Sequence, residues 1–403
     1  MSEVTQEVSE RYRAGEHPLP VSILLNIAHA LDHLFLLIFA TAVGSIAIDL
    51  GFDRWEDLMP YSVGAFLLFG LGSVPSGRLG DLWGRRQMML VFFFGLGVAA
   101  LLTALAQTPW QLAGGLALIG ACASIYHPVG IPMLVQRTTR PGVVIGINGL
   151  AGNLGVAGAA LITGLLVQWW GWRAAFVVPG LISIACGVAF AVLCESQGPA
   201  PARSRKAPQI QLSRPELARA LVVMTAAAIT GSLIFNFTTN GNTQFLTDRF
   251  AGLVDDPAMI GLVLAIVYVC ASFAQVAVGH LIDKIPLRRL YFLMVLAQIP
   301  WLVLAALASG WWVAFALLGA MVFIFGAIPF TDAMIVKYVD DSMRSRVAGM
   351  RLAVSFGVSS LAVWLLGPVV KASGFTTLFL SMAVIAATTA ALITLLPKVD
   401  TRS

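Results

Sequence analysis

About twelve apolar stretches of roughly 20 residues or more, parted by short charged loops, run through this chain, and each is long enough to cross the hydrocarbon core of a bilayer as a helix. They lie near 19–48, 58–79, 87–106, 110–135, 142–168, 172–194, 218–247, 257–281, 290–308, 311–336, 346–370 and 374–396. Backbone groups in lipid find no water, so such a chain folds as helices that close their hydrogen bonds within each span. With 58% hydrophobic and 11% charged residues, the composition lies far outside the range of soluble domains. The expected fold class is an all-α integral membrane protein of twelve transmembrane helices.

The net charge of +5 is unevenly spread. If both termini are cytoplasmic, only Arg54, Arg173, Arg249 and Lys371 of the 25 Lys and Arg fall outside, the asymmetry that sets membrane orientation. A multi-pass protein of a bacterial inner (plasma) membrane is expected, its bases facing an anionic leaflet and not nucleic acid. Cys122, Cys186, Cys194 and Cys270 fall inside runs without CxxC spacing and read as small packing residues. No small-residue cleavage site precedes a mature domain, so the first run is expected to be retained and not cut off as a signal peptide.

Between the second and third runs lies a charged island, residues 77–90, in which Gly77, Leu79, Asp81, Gly84, Arg85 and Arg86 are spaced as small, apolar, acid, small and two bases. The glycines let backbones approach and the chain reverse. Asp81 is suited to accept hydrogen bonds from a neighbouring helix N-terminus or to pair with an arginine, and Arg85 and Arg86 hold the loop on the cytoplasmic side. The pattern returns at Gly279, Leu281 and Asp283, since 279 − 77, 281 − 79 and 283 − 81 each give 202, about half the chain. In this second copy Pro286 replaces the second glycine, and the bases Arg288 and Arg289 sit later. The island resembles the loop between the second and third helices of the major facilitator superfamily, secondary transporters with twelve helices in two pseudo-symmetric six-helix halves. The expected organisation is a cytoplasmic tail (1–18), an N-terminal half (19–194), a Pro-rich basic linker (195–217), a C-terminal half (218–396) and a second tail (397–403).

Polar groups inside the runs mark candidate sites, because an ionisable side chain at mid-bilayer costs about 2.5–3.5 kcal/mol on insertion scales. Asn26, His29, Asp32 and His33 fall within an arc of roughly 120° on the first run, a face for a cavity or for bonding to a neighbouring helix. The fourth run carries His127 within Tyr126-His127-Pro128, where proline bends the axis. On the fifth, Gly149, Gly152, Gly155 and Gly158 form a strip for close helix contact. The seventh presents Asn236, Thr239, Asn240 and Thr243 on one face, and the tenth carries Asp332 after Pro329. Tyr-His-Pro and the Gly152-Asn153-Leu154-Gly155 segment resemble the fosmidomycin-resistance branch of the superfamily, related to drug:proton antiporters. Leu116 stands where proton-coupled drug exporters carry an arginine, four residues before Gly120, which puts simple transfer of their mechanism in doubt.

In the superfamily fold, runs one, four, seven and ten line a central cavity. The resemblance therefore implies a transport site worked by alternating access. Asp32, His29, His33 and Asp332 are candidates for proton coupling, and Asn26, His127, Asn236 and Asn240 for the substrate cavity. Gly77, Asp81, Gly84, Arg85, Arg86, Gly279 and Asp283 are candidates for the conformational motif. No GxxxxGK loop is present, so no cofactor is expected and a proton gradient is the energy source. The leading expectation is proton-coupled export of a small molecule by a protein functional as a monomer. One alternative is a metal-ion or metal-complex carrier using His29, Asp32, His33 and His127. Another is a non-transporting receptor or assembly subunit on the same scaffold. An enzyme is disfavoured by the lack of HExxH, GxSxG or a paired nucleophile and base.

Overall fold

The computed structural model describes residues 18–136, 138, 141–195, 213–282, 284–339 and 341–397, with the side chains of 141, 142, 214, 332, 336, 337, 341–346, 348–353 and 356 left out. Its helices are α1 (Leu19–Asp49), α2 (Val63–Trp83), α3 (Arg85–Ala104), α4 (Pro109–Ala123), α5 (Ile131–Val135), α6 (Pro141–Trp170), α7 (Trp172–Leu193), α8 (Arg214–Arg249), α9 (Pro257–Ile282), α10 (Leu287–Leu307), α11 (Trp312–Ala327), α12 (Pro329–Tyr338) and α13 (Asp341–Ile393). Two tight 3-10 turns, Trp55–Asp57 and Met59–Ser62, precede α2, and a wide π turn, Tyr126–Gly130, joins α4 to α5. Eleven helical stretches among the described residues are long and apolar enough to cross a membrane. The last, Gly357–Ile393, contains Gly374 at φ 73°, where the eleventh and twelfth runs part.

Glycine in the left-handed region makes the sharpest connections. Gly84, at φ 98°, is the single residue between α2 and α3, so the island's second glycine is required by backbone geometry. Gly171, at φ 80°, joins α6 to α7 in the same manner as Gly374 divides α13, and 374 − 171 = 203, one residue from the repeat offset. The fourth and tenth runs are both interrupted near proline, at the π turn holding Pro128 and at Pro329, the first residue of α12.

Each half has its own aromatic core, with Phe92, Phe93, Phe176 and Phe190 in one and Phe245, Phe325, Phe330 and Phe379 in the other. Outward-facing Leu71, Val74, Val192, Val222 and Val384 present apolar surface to lipid. Exposed Trp110, Trp169, Trp170, Trp311 and Trp312 all stand at helix ends on one face, where indole rings favour the headgroup level. Helix α6 lies between α1 and α9 and binds the halves together through small residues. A Cβ on Gly155 would meet Ala30 O of α1 at 2.1 Å, and one on Gly164 would meet Pro257 O of α9 at 2.5 Å. Two of the four glycines in the strip depart from the expected close contact. Gly149 has no atom within 4 Å of a would-be Cβ, so the helical turn points this glycine away from α1, and Gly158 makes only ordinary contacts. Gly279 is likewise open, so in the second copy of the island the glycine marks no close approach among the described residues.

Candidate functional site

Residues 29–33 stand near the middle of the 31-residue α1, and helical periodicity puts His29 and His33 on one face with Asp32 beside them. The π turn brings His127 opposite them. Nε2 of His127 lies 3.4 Å from Oδ2 of Asp32, whose side chain is 0% exposed against 24% for the histidine. Neither carboxylate oxygen receives a hydrogen bond. The two α1 imidazoles face each other, Nε2 to Nε2, at 3.2 Å. The rings of His29 and His33 lie 5.2 and 5.8 Å from that of His127, centroid to centroid. Tyr126 stacks on His29 at 4.8 Å, and Phe69 of α2 meets the edge of His127 at 5.9 Å.

Proton positions follow from the partners. Nδ1 of His29 lies 2.7 Å from the carbonyl of Asn148, and a carbonyl only accepts, so Nδ1 carries the hydrogen and, when the ring is neutral, Nε2 is the acceptor. In the His29–His33 contact, therefore, Nε2 of His33 donates. Asn148 also donates through Nδ2 to Tyr126 Oη at 2.6 Å and to Asn26 Oδ1 at 3.1 Å, and Asn26 in turn donates to Ser22 O. Spans one, four and five are thus pinned together by a side chain that the sequence did not single out. Its only signal was an asparagine directly before the glycine strip. Gly152 makes room for His29, since a Cβ there would fall 2.6 Å from the ring.

The C-terminal half offers uncharged polar groups apart from this cluster. Asn236 donates to Ser359 Oγ of α13 and to Ser232 O, while Asn240 donates to Asn236 O. The first of these bonds ties α8 to α13 and the other two stay within α8, where the sequence suggested groups held ready for substrate. Asn242, buried and also missed, donates to Tyr268 Oη at 3.1 Å, while its Oδ1 receives no hydrogen bond. Helix α12 carries Asp332, but its side chain lies outside the described residues, as does the whole of Asp283.

The island is built onto the site. A Cβ on Gly77 would sit 3.3 Å from Pro128, the residue after His127, and one on Gly80 would sit 2.9 Å from Val129. Arg85 donates to Gln136 Oε1 at 2.8 Å, and Arg86 donates to Ala191 O and Cys194 O at the C-terminal end of α7. Arg86 therefore caps the C-terminal end of α7. Arg288 does the same in the second half, donating to Leu396 O and Thr394 O beyond α13. Since 288 − 86 = 202, its side chain matches Arg86 at the repeat offset, and the second copy is less displaced than its basic pair suggested. Asp81 is exposed and makes no hydrogen bond or ion pair with the described residues.

The sequence profile of the Major Facilitator Superfamily matches residues 25–255 and 251–403. Among curated proteins, the multidrug resistance protein MdtG of Serratia proteamaculans is 24% identical over 350 residues, covering 83% of this chain and 81% of that protein. A probable actinorhodin transporter of Streptomyces coelicolor is 29% identical over 184 residues, which is 44% of this chain and only 32% of that protein's length. Among solved structures, a bacterial homologue of the human lysosomal transporter Spinster, inward-facing and occupied, superposes with a TM-score of 0.76 at 16% identity over 93% of this chain and 96% of that one. A D-xylose-proton symporter gives 0.75 at 14% identity over 93% and 96%. Helical spans, an internal repeat and a profile match that extends across both halves agree, and the chain belongs to the Major Facilitator Superfamily of membrane transporters.

Proposed function

We propose that this transporter exports a small molecule in exchange for protons, with the Asp32, His29, His33 and His127 cluster as the coupling site. The observation that carries this reading is a carboxylate with 0% exposure, receiving no hydrogen bond, beside an imidazole that is 24% exposed. A group of this kind changes its charge when a proton or cation arrives, and His127 provides the route by which one reaches it. Relatives named for multidrug resistance and actinorhodin transport support export, and a structural neighbour named as a proton symporter supports coupling. Energy comes from the gradient, with no cofactor, as the two halves rock about the site. The protein works as a monomer in the bacterial inner membrane, with both termini and the 195–217 linker on the cytoplasmic side, a placement supported by the distribution of bases.

Flux in proteoliposomes carrying an imposed pH gradient and an internal pH dye tests the reading against cationic drugs and organic anions. Coupled flux is expected in the parent protein. Asp32→Asn is expected to abolish it while the protein still binds cargo and melts as a folded chain. Undiminished coupled flux in Asp32→Asn would remove the carboxylate from the mechanism, and binding without flux in the parent would favour a receptor.

A further inference from the structure

We infer that His29, His33, His127 and Asp32 form a binding site for a first-row divalent metal ion, with three imidazole nitrogens and one carboxylate oxygen as ligands. The distances point to coordination. Two nitrogens bound to one tetrahedral ion at roughly 2.0–2.1 Å each lie about 3.3 Å apart. Nε2 of His29 and Nε2 of His33 are separated by 3.2 Å, and Nε2 of His127 and Oδ2 of Asp32 by 3.4 Å. Two edges of a coordination tetrahedron are therefore present, each joining two of the four ligands. One ligand atom from each histidine lies within 4.8 Å of the others, and rotation of the half-buried His127 side chain would close that gap.

The surroundings fit the same ion. Nδ1 of His29 donates to Asn148 O at 2.7 Å, which leaves the Nε2 lone pair aimed into the cluster. A bond from the far ring nitrogen to a backbone carbonyl is how proteins orient metal-binding imidazoles. His33 needs only to move its single proton to Nδ1, so both α1 histidines bind as neutral rings without net proton loss. A His29–His33 hydrogen bond alone satisfies those two rings but leaves the Asp32 oxygens buried without a donor. A divalent ion meets that need, and the nitrogen-rich set selects Zn²⁺, Co²⁺ or Ni²⁺ over Mg²⁺ or Ca²⁺. With this cluster as the transport site, the metal, alone or within a complex, belongs to the class of cargo the protein accepts. This last point rests on the transport reading above, whereas the binding site itself does not.

Tag-free protein in detergent, stripped with chelator, would be titrated with CoCl₂ and followed by visible absorption. The expected result is one ion per chain with the intense spectrum of four-coordinate Co²⁺, displaced by Zn²⁺ and unaffected by excess Mg²⁺. His33→Asn and His127→Asn are expected to weaken binding by more than about tenfold. His280→Ala should not change it, since that exposed histidine lies outside the cluster and contacts Val276 O of its own helix. Absence of saturable one-to-one binding, a weak six-coordinate spectrum, or equal affinity in the cluster variants would overturn the site. The parent protein's spectrum decides the matter even if a variant fails to fold. Proton-coupled flux of an organic cargo without Co²⁺ binding sinks the metal site alone. Co²⁺ binding without any flux sinks the transport reading alone.

Discussion

The ring of His29 is held from three directions: by the Asn148 carbonyl at Nδ1, by His33 at Nε2 and by the stacked face of Tyr126. Gly152 closes the fourth side. A methyl group there would fall 2.6 Å from Cε1, too close for the ring to remain, and moving it breaks both nitrogen contacts. Gly152→Ala is therefore expected to lower stability by about 1–3 kcal/mol, as overpacking does, and to reduce coupled flux. Gly149→Ala lies on the same helix with open space around it and is expected to leave both unchanged. Melting in detergent together with vesicle flux separates the two, and equal behaviour of the variants would show that the contact at Gly152 does not position His29. The ionisable members of the cluster were legible in the sequence because charge inside an apolar run is costly wherever its helix packs. Asn148 was not, since a neutral amide carries little cost and its partners depend on how closely α6 approaches α1.

At the scale of the element, α2 and the π turn behave as one piece. Gly77 and Gly80 seat against Pro128 and Val129, and a Cβ on Gly120 would overlap Ala65 O at 1.9 Å. Any displacement of the island is thereby carried to His127. The two kinds of charge in the island then separate cleanly. Arg86 is engaged here, giving two hydrogen bonds to the last carbonyls near α7, so Arg86→Ala should cost about 1–3 kcal/mol in this conformation. Asp81 has no partner among the described residues, and Asp81→Asn should change stability by no more than about 0.5 kcal/mol. Its effect is expected on the rate of exchange between conformations, through a contact made in the other state. Chemical denaturation and single-molecule exchange rates check the pair, and a large stability loss in Asp81→Asn would place its role in the state described here. The island's spacing was readable because turn geometry dictates it, as Gly84 illustrates. Which carbonyls Arg86 reaches was not, because those belong to a helix end about a hundred residues away.

For the whole molecule, the two halves meet on the face that carries the exposed tryptophans. Lys371 pairs with Asp57 at 2.6 Å, Trp55 stacks on Phe375 at 6.0 Å between centroids, and Gln168 accepts from the Ala258 N–H at 3.0 Å. If the halves rock, these contacts must part and reform, so their sum has to stay near the few kcal/mol that thermal exchange allows. The ion pair is a small share: both side chains are 43% exposed, which limits such a pair to about 1 kcal/mol or less. Lys371→Ala should then shift the population by no more than about fivefold. Backbone packing is a harder constraint. Gly367 lies against the Glu56 carbonyl, where an added Cβ would stand 2.1 Å from the oxygen, and neither backbone has a side chain to turn aside. Gly367→Ala acts as a wedge in the closed face and is expected to favour the state open on that side. Spin labels at Asp53→Cys and Ser373→Cys, both in exposed segments, read the separation directly. A longer distance in Gly367→Ala, with little change in Lys371→Ala, is the expected pattern. An unchanged distance in Gly367→Ala would mean that the halves do not part across this face, and alternating access would then require a different closed end.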